Sequence, residues 1–270
     1  MIKLFVTDID GTLMPAGGRV SEKNIAAVQA MRRAGIEVAI ATGRMYRAAL
    51  PVAAQLKVPV PIIAYNGALI KSSAGEVLHT RYLDAPDALR LMNFFEERGW
   101  HLQSYVDDVL YVPERNDCAK YYEDAQKVEA VEVGWSGLRE RVEGITKLLS
   151  IADTPDETAA RLAELESIFG GQVEVTRSAP RFVEFMARGV SKASAIKILA
   201  DKLNVDTAQV MAIGDSDNDL AMLTGVGVGV AMGNAVPAVK AACKLITDTC
   251  DNDGFAAAVY DYALSSPPFN

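Results

Sequence analysis

Short runs that are apolar on both faces constrain the fold of this chain more than any other feature. Five of them lie at residues 3–7, 36–41, 60–64, 209–213 and 226–230. Such runs suit strands that are buried between two layers of helices in a parallel sheet. Between and after them, amphipathic stretches predict helices at 21–34, 191–203, 235–243 and 253–264. This βαβ alternation predicts an α/β fold with a doubly wound, Rossmann-like parallel sheet.

The middle of the chain has a different pattern. Alternating polar and apolar residues predict strands at 101–112, 128–133, 146–152, 172–176 and 182–186, with helices at 86–98 and 155–168. Alternation over such lengths is typical of an antiparallel sheet with one face covered by helices. We therefore predict a core domain of residues 1–83 and 188–270, interrupted by an inserted α+β domain of residues 84–187.

The composition argues against several classes of function. The net charge of −8 argues against a nucleic-acid-binding surface, and an anionic ligand would need locally placed cations. With only two histidines and three cysteines without metal-binding spacing, a zinc site or a Ser-His-Asp triad is not expected. No signal peptide and no apolar run of membrane-spanning length is recognised, so we expect a cytoplasmic protein without a membrane partner.

Two carboxylates follow the first apolar run, in the sequence Asp8-Ile9-Asp10-Gly11-Thr12. They are expected at the tip of a strand, where open α/β sheets bind ligands. A close carboxylate pair can divide its roles, one acting as nucleophile and the other as general acid. Alone, this motif could equally be a turn or a fragment of a calcium-binding loop.

Two further motifs place polar groups beside the predicted sheet. Thr42-Gly43-Arg44 follows the second apolar run, where a hydroxyl and backbone N–H groups can hold a phosphoryl oxygen, although a plain strand-to-helix turn would look the same. Lys192 falls in the first turn of a predicted helix, where the helix dipole disfavours a cation. That position hints at a role in offsetting nearby carboxylates, against the default of a solvated lysine.

An acidic cluster follows the apolar run that ends at residue 213. Asp215, Asp217 and Asp219 lie within five residues and would repel one another without a cation. Oxygen ligands without a nearby histidine suggest Mg²⁺ rather than zinc. The alternative is a solvated acidic turn that caps the next helix.

The four motifs together resemble the haloacid dehalogenase-like (HAD) hydrolase superfamily. The chain is most similar to its Cof-type phosphatases, which carry a large α/β (type IIB) cap inserted after the third core strand. The resemblance covers the whole chain, because the motifs fall at both ends and the insert has the expected size and place. It implies an HAD core domain and a cap domain that influences substrate choice.

The resemblance implies catalytic roles for Asp8, Asp10, Thr42 and Lys192. Asp8 would attack phosphorus and become an aspartyl-phosphate. Asp10 would protonate the leaving alcohol and then act as base on the hydrolytic water. Thr42 and Lys192 would hold phosphoryl oxygens.

The resemblance also implies Mg²⁺ as the cofactor. Its ligands would be the Asp8 carboxylate, the backbone carbonyl of Asp10 and Asp215, with Asp219 or Asn218 contributing directly or through water. Further contacts to the substrate, through side chains or backbone N–H groups, are expected from Ile9, Gly11, Gly43, Arg44, Asn66 and Asn218.

The expected function is Mg²⁺-dependent hydrolysis of small phosphomonoesters such as sugar phosphates, pyridoxal phosphate or FMN. The partner is then a small phosphorylated metabolite, and the protein is expected to be a monomer or a homodimer. A phosphomutase of the same superfamily differs mainly in which acceptor reaches the phospho-enzyme. A regulator that binds a phosphometabolite without catalysis would be expected to lack a catalytic carboxylate, and all of them are present here.

Overall fold

The computed structural model of the protein describes residues 1–265. The chain divides into two compact units, one made of residues 1–79 with the described residues from 191 onward, the other of residues 80–190. No helix in the described part of the chain has both the length and the apolar composition needed to cross a membrane.

The secondary structure follows the chain in three segments. The first contains β1 (Leu4–Thr7), α1 (Glu22–Arg33), β2 (Glu37–Ala41), α2 (Tyr46–Gln55), β3 (Ile62–Ala64), β4 (Leu69–Lys71) and β5 (Val77–Thr80). The second contains α3 (Ala85–Arg98), β6 (Gln103–Val106), β7 (Val109–Val112), α4 (Asp117–Gln126), β8 (Ala130–Glu132), α5 (Gly134–Glu140), β9 (Ile145–Ile151), α6 (Pro155–Phe169), β10 (Val173–Thr176) and β11 (Phe182–Ala187). The third contains α7 (Lys192–Lys202), β12 (Val210–Gly214), α8 (Leu220–Thr224), β13 (Val228–Ala231), α9 (Pro237–Ala242), β14 (Leu245–Ile246) and α10 (Gly254–Ala258).

The first unit is built on one sheet with the strand order β14-β13-β12-β1-β2-β3-β4-β5. The strands from β14 to β3 pair in parallel, and β4 pairs antiparallel to β3. Every residue of β1 is buried, as its uniformly apolar sequence predicts. The predicted doubly wound α/β fold is therefore confirmed. Because β12 and β2 flank β1, the loops that follow these three strands meet at one edge of the sheet.

The second unit contains a sheet with the order β10-β11-β9-β6-β7-β8, in which all pairs but β7 with β8 are antiparallel. The prediction of a single strand at 101–112 is wrong, because the structure has two strands there. Asp107 and Asp108 have φ angles of 50° and 61°, and this left-handed pair forms the two-residue turn of a hairpin between β6 and β7. Acidic residues tolerate that conformation, so the turn has no glycine to mark it.

Four of the α-helices given above have no counterpart among the predicted elements. These are α2, which has Pro51 inside it, α4 and α5 of the second unit, and the short α8. Pro51 lies in the second turn of α2, where its missing N–H costs one hydrogen bond with the first turn, and the helix persists because its alanine-rich face is buried.

A fully buried ion pair lies within the sheet of the second unit. The Lys147 ammonium donates to the Glu184 carboxylate at 2.5 Å, and each side chain is 1% exposed. The ammonium also lies 4.9 Å from the centre of the Tyr105 ring. Burial lowers the pKa of Lys147, and the charge of Glu184 opposes that shift. Two charges removed from water are tolerated because each satisfies the other.

We expect Lys147→Met alone to lower the free energy of unfolding by about 3–5 kcal/mol, because it removes the ammonium group that compensates the buried charge of the Glu184 carboxylate. The double variant Lys147→Met/Glu184→Met should recover most of that loss, since it buries no charge. Urea unfolding of the wild type, both single variants and the double variant measures this. A double variant less stable than either single variant would show that the pair itself stabilises the fold.

Candidate active site

Three strand ends bring the predicted site residues together. Asp8 directly follows β1, Thr42 follows β2 and Asp215 follows β12, and the register pairs Thr7 with Ile40 and with Ile213. Asp8 and Thr42 are buried. Parallel strands in register therefore explain why side chains more than 200 positions apart share one site.

Lys192 reaches this site from the first turn of α7. Its ammonium donates to Asp8 Oδ1 and to Asp219 Oδ1, both at 2.6 Å, and the side chain is 1% exposed. Burial by itself would lower the pKa of Lys192, but the carboxylates of Asp219 and Asp8 outweigh it and raise that pKa above its usual value. Lys192 is therefore held as a cation, despite the unfavourable helix dipole.

The Asp219 carboxylate is saturated with donors. Its Oδ1 accepts from Lys192, while its Oδ2 accepts from the backbone N–H groups of Asp215 and Ser216 at 2.9 and 3.0 Å. It is fully buried. These contacts make Asp219 the group that orients both the lysine and the loop carrying Asp215.

The Asp215 carboxylate is fixed by two hydroxyl groups. Thr12 Oγ1 donates to Asp215 Oδ1 at 2.8 Å, and Ser216 Oγ donates to Oδ2 at 3.2 Å. Burial, and next the charge of Asp219, raise the pKa of Asp215 to about 6. Gly11 has φ +78° and a Cβ there would lie 2.6 Å from Asp215 Oδ2, so only glycine fits between the two loops.

Negative charge exceeds positive charge at this site. Asp8, Asp215 and Asp219 each have a carboxylate oxygen within 4.8 Å of the others, and Lys192 supplies one positive charge against them. Burial first, and then the neighbouring carboxylates, raise the pKa of Asp8 well above its usual value, although Lys192 opposes this. An all-oxygen donor set with this charge imbalance fits a hard divalent cation.

Arg44 forms a bidentate ion pair with Asp10. Its Nε donates to Asp10 Oδ2 at 2.7 Å and its Nη2 to Oδ1 at 2.5 Å, while the Arg44 N–H donates to Thr42 Oγ1 at 3.1 Å. The guanidinium is 9% exposed and the Asp10 carboxylate 35% exposed. In this structure Arg44 therefore contacts the second acid of the first motif, which the sequence did not predict.

The predicted pair Asn66-Gly67 lies under the beginning of α7. Asn218 Nδ2 donates to Asn66 Oδ1 at 2.9 Å, so two of the predicted residues contact each other. Gly67 has φ +112°, and a Cβ there would lie 2.3 Å from the carbonyl oxygen of Ser191, the N-cap of α7. The close approach of this glycine fixes where Lys192 begins its helix.

The backbone N–H of Gly11, predicted to hold a phosphoryl oxygen, donates to the Met14 carbonyl at 2.9 Å. Sequence reasoning also missed the supporting role of Thr12 and Ser216. Both lie within the acidic motifs described above, but the sequence of a turn does not indicate which carboxylate a hydroxyl group will contact.

Comparisons with known proteins show which family the chain is similar to. A family model described as haloacid dehalogenase-like hydrolase matches residues 5–259. Two curated relatives are 5-amino-6-(5-phospho-D-ribitylamino)uracil phosphatases of Bacillus subtilis. One is 32% identical over 266 residues, which cover 97% of this chain and 96% of that protein. The other is 30% identical over 271 residues, which cover 96% of this chain and 97% of that protein. The crystal structure of a haloacid dehalogenase-like hydrolase from Bacteroides thetaiotaomicron is 28% identical with a TM-score of 0.85, over 97% of this chain and 99% of that one.

We expect the metal-free protein to become more stable as the pH falls from 7 to 5. Asp215 takes up its proton near pH 6 in the folded state but near 3.8 when unfolded, so the folded state binds more protons in that interval. The gain should be about 1 kcal/mol. Urea unfolding in EDTA at both pH values measures it, with Asp215→Asn as the control for all other groups. An equal pH dependence in Asp215→Asn would contradict the shift.

Proposed function

The chain belongs to the haloacid dehalogenase-like hydrolase family, and from that premise we propose that it is a Mg²⁺-dependent phosphatase of small phosphomonoesters. The observation that carries the proposal is the buried Asp8 carboxylate in contact with Lys192. A carboxylate nucleophile can attack a phosphate dianion only where positive charge cancels their repulsion, and a buried cation is already in place.

The donor set supports a Mg²⁺ site. We propose that the Asp8 carboxylate, the Asp10 carbonyl and Asp215 hold the ion. Asp219 is proposed to act through water and through Lys192, because it already accepts three hydrogen bonds, one of them from an ammonium group, whereas Asp215 accepts from two hydroxyl groups. Bound there, Mg²⁺ would supply positive charge toward the phosphoryl oxygens.

The protein groups have the following proposed roles. Asp8 Oδ attacks phosphorus as the bond to the leaving oxygen breaks, and Asp10 gives that oxygen a proton. In the second half, Asp10 takes a proton from water as the water oxygen attacks the phosphorus, which releases phosphate and restores the Asp8 carboxylate. Thr42 and Lys192 hold phosphoryl oxygens through both steps.

Arg44 is proposed to orient Asp10 before substrate binds. Both oxygens of Asp10 accept from Arg44 in the ion pair, so Asp10 must release at least one guanidinium nitrogen and take up a proton from solvent before it can protonate a leaving oxygen. The freed N–H of Arg44 is then available to an oxygen of the substrate. Arg44 can therefore form the ion pair with Asp10 before substrate binds and contact the substrate afterwards.

The substrate and the cap domain are also proposals. We propose that residues 84–187 form the cap that selects the substrate, with the core made of residues 1–83 and 188–270. The separate compact unit of residues 80–190 supports this division. The relatives' names make ribityl phosphates worth testing beside sugar phosphates, pyridoxal phosphate and FMN. We propose a cytoplasmic monomer or homodimer.

Phosphate release from a panel of these esters and p-nitrophenyl phosphate tests the reaction. We expect release with Mg²⁺ and none above background with EDTA. Asp8→Asn should lose at least about 10³-fold in kcat, because the amide is not a nucleophile. Asp117→Asn is the matched control, since that carboxylate is fully exposed in the second unit. Full activity in Asp8→Asn would rule out the aspartyl-phosphate, and isomerisation of a phosphosugar without net release would indicate a mutase.

Lys192→Met should reduce kcat/KM by about 10²–10³-fold and weaken competitive inhibition by inorganic phosphate, because the cation beside the phosphoryl oxygens is lost. Lys197→Met removes an exposed lysine from the same helix and should leave both unchanged. Urea unfolding of both variants shows whether a loss of activity comes from the missing ammonium group or from a destabilised fold. Unchanged inhibition by phosphate in a folded Lys192→Met would exclude Lys192 from the phosphate site.

A further inference from the structure

Three successive carbonyl groups of the loop after β1 accept hydrogen bonds from side chains outside that loop. Asn234 Nδ2 donates to the Gly11 carbonyl at 2.8 Å, and Asn24 Nδ2 donates to the Leu13 carbonyl at 2.9 Å. Between them, the Cys250 thiol lies 3.4 Å from the Thr12 carbonyl oxygen, within hydrogen-bond distance for sulfur. Loop carbonyls are commonly satisfied by water, so side-chain donors to three in a row mark a supported loop.

The two asparagines connect this loop to the C-terminal part of the chain. Asn234 Oδ1 accepts from the backbone N–H of Cys250 at 2.8 Å, and Asn24 Oδ1 accepts from that of Ala256 at 3.1 Å. Each amide thus uses its donor on the loop and its acceptor on residues 250–256. We call Asn24, Asn234 and Cys250 the brace.

Close backbone contacts hold the brace against its neighbours. The Gly233 N–H donates to the Asp248 carbonyl at 2.9 Å, and a Cβ at Gly233 would lie 2.8 Å from the Asp248 carbonyl carbon. At Gly254 a Cβ would lie 2.0 Å from the Asp248 carbonyl oxygen. Both positions therefore require glycine, and the residues next to them have little freedom to shift.

The supported loop carries two proposed catalytic groups and one side chain that contacts Asp215. Asp8 and Asp10 precede the three carbonyls, and the Thr12 hydroxyl donates to Asp215. A small displacement of the loop would move both acids and Asp215 relative to one another, and misplacement by about 1 Å can cost 10²-fold in rate. Burial and nearby carboxylates raise the pKa of the Cys250 thiol to about 12, so it remains a protonated donor at neutral pH.

We infer that Asn24, Asn234 and Cys250 are positioning residues, which hold the loop of residues 8–14 in its reactive geometry from the side of the C-terminal segment. The inference rests on the proposed phosphatase function for its kinetic consequence, but the support of the loop is a physical property that can be measured without activity. None of the three belongs to the motifs that carry the acids, the lysine or the threonine.

Asn234→Ala is the first test, because this side chain is exposed and its loss leaves no cavity. With Mg²⁺ and p-nitrophenyl phosphate, kcat should fall about tenfold or more, while KM changes by less than about twofold, since binding groups remain and only the geometry of reaction is disturbed. Asn252→Ala is the matched control. It removes an exposed asparagine of the same C-terminal segment, whose amide contacts Asp248 and not the loop, and kcat should stay at the wild-type value.

Cys250 offers a test by conservative replacement. Cys250→Ser keeps a donor for the Thr12 carbonyl, whereas Cys250→Ala removes it. We expect kcat of Cys250→Ser to stay within about threefold of wild type and that of Cys250→Ala to fall about tenfold. Equal losses in both variants would show that the thiol acts through packing alone.

Amide hydrogen exchange of the peptide covering residues 4–14, in EDTA, provides the readout that needs no activity. The N–H groups of Gly11, Thr12 and Met14 bond within this loop and should exchange at least about tenfold faster in Asn234→Ala than in Asn252→Ala. Unchanged exchange with unchanged kcat, even with a lower melting temperature, would overturn the inference. Faster exchange in a protein whose wild type releases no phosphate would refute the proposed function and leave the brace intact.

Discussion

The contact of Lys192 with Asp8 and Asp219 is the interaction on which the rest of the site depends. Each of these carboxylates is buried at the end of a central strand or just beyond it, and a buried carboxylate needs a partner to replace the water it has lost. One ammonium group satisfies both at 2.6 Å. Ion pairs as well as packing therefore hold α7 against the sheet. The close approach of Gly67 to Ser191, the residue before Lys192, fixes where the lysine lies relative to the strand ends.

The three brace residues lie in different segments from the groups proposed to react. Asp8, Thr42 and Asp215 follow strands of one parallel sheet, whose register brings them together without further help. The loop after Asp8 is different, because it must turn sharply beside Asp215 and cannot continue the sheet. Its carbonyl groups accept hydrogen bonds from Asn234, Cys250 and Asn24. Two of these donors come from the C-terminal part of the chain, which therefore supports the loop that follows the first strand.

The sequence predicted the parallel sheet and placed Asp8 and Asp215 at strand ends, because apolar runs and the residues that follow them reflect the fold directly. The contact of Lys192 with this site was expected from the resemblance to a known family and not from its position in the sequence. It did not predict the hairpin at Asp107-Asp108, since a left-handed turn without glycine has no strong local signal. Contacts between loops were also missed. The hydrogen bond from Asn234 to the Gly11 carbonyl depends on how two loops are positioned in the folded protein. In the sequence, a polar loop residue that supports a site cannot be distinguished from one that faces water.

Asp215 and Asp219 are carboxylates of similar chemistry that differ here through the donors that each already has. Asp219 accepts from one ammonium and two N–H groups, so it has little capacity left for a cation. Asp215 accepts from two hydroxyl groups, and burial together with the charge of Asp219 raises its pKa to about 6. A divalent cation gains most where compensation is least, which favours Asp215 over Asp219 as a direct ligand. The proposed division of roles therefore rests on how many hydrogen bonds each carboxylate already accepts, which only the folded structure reveals.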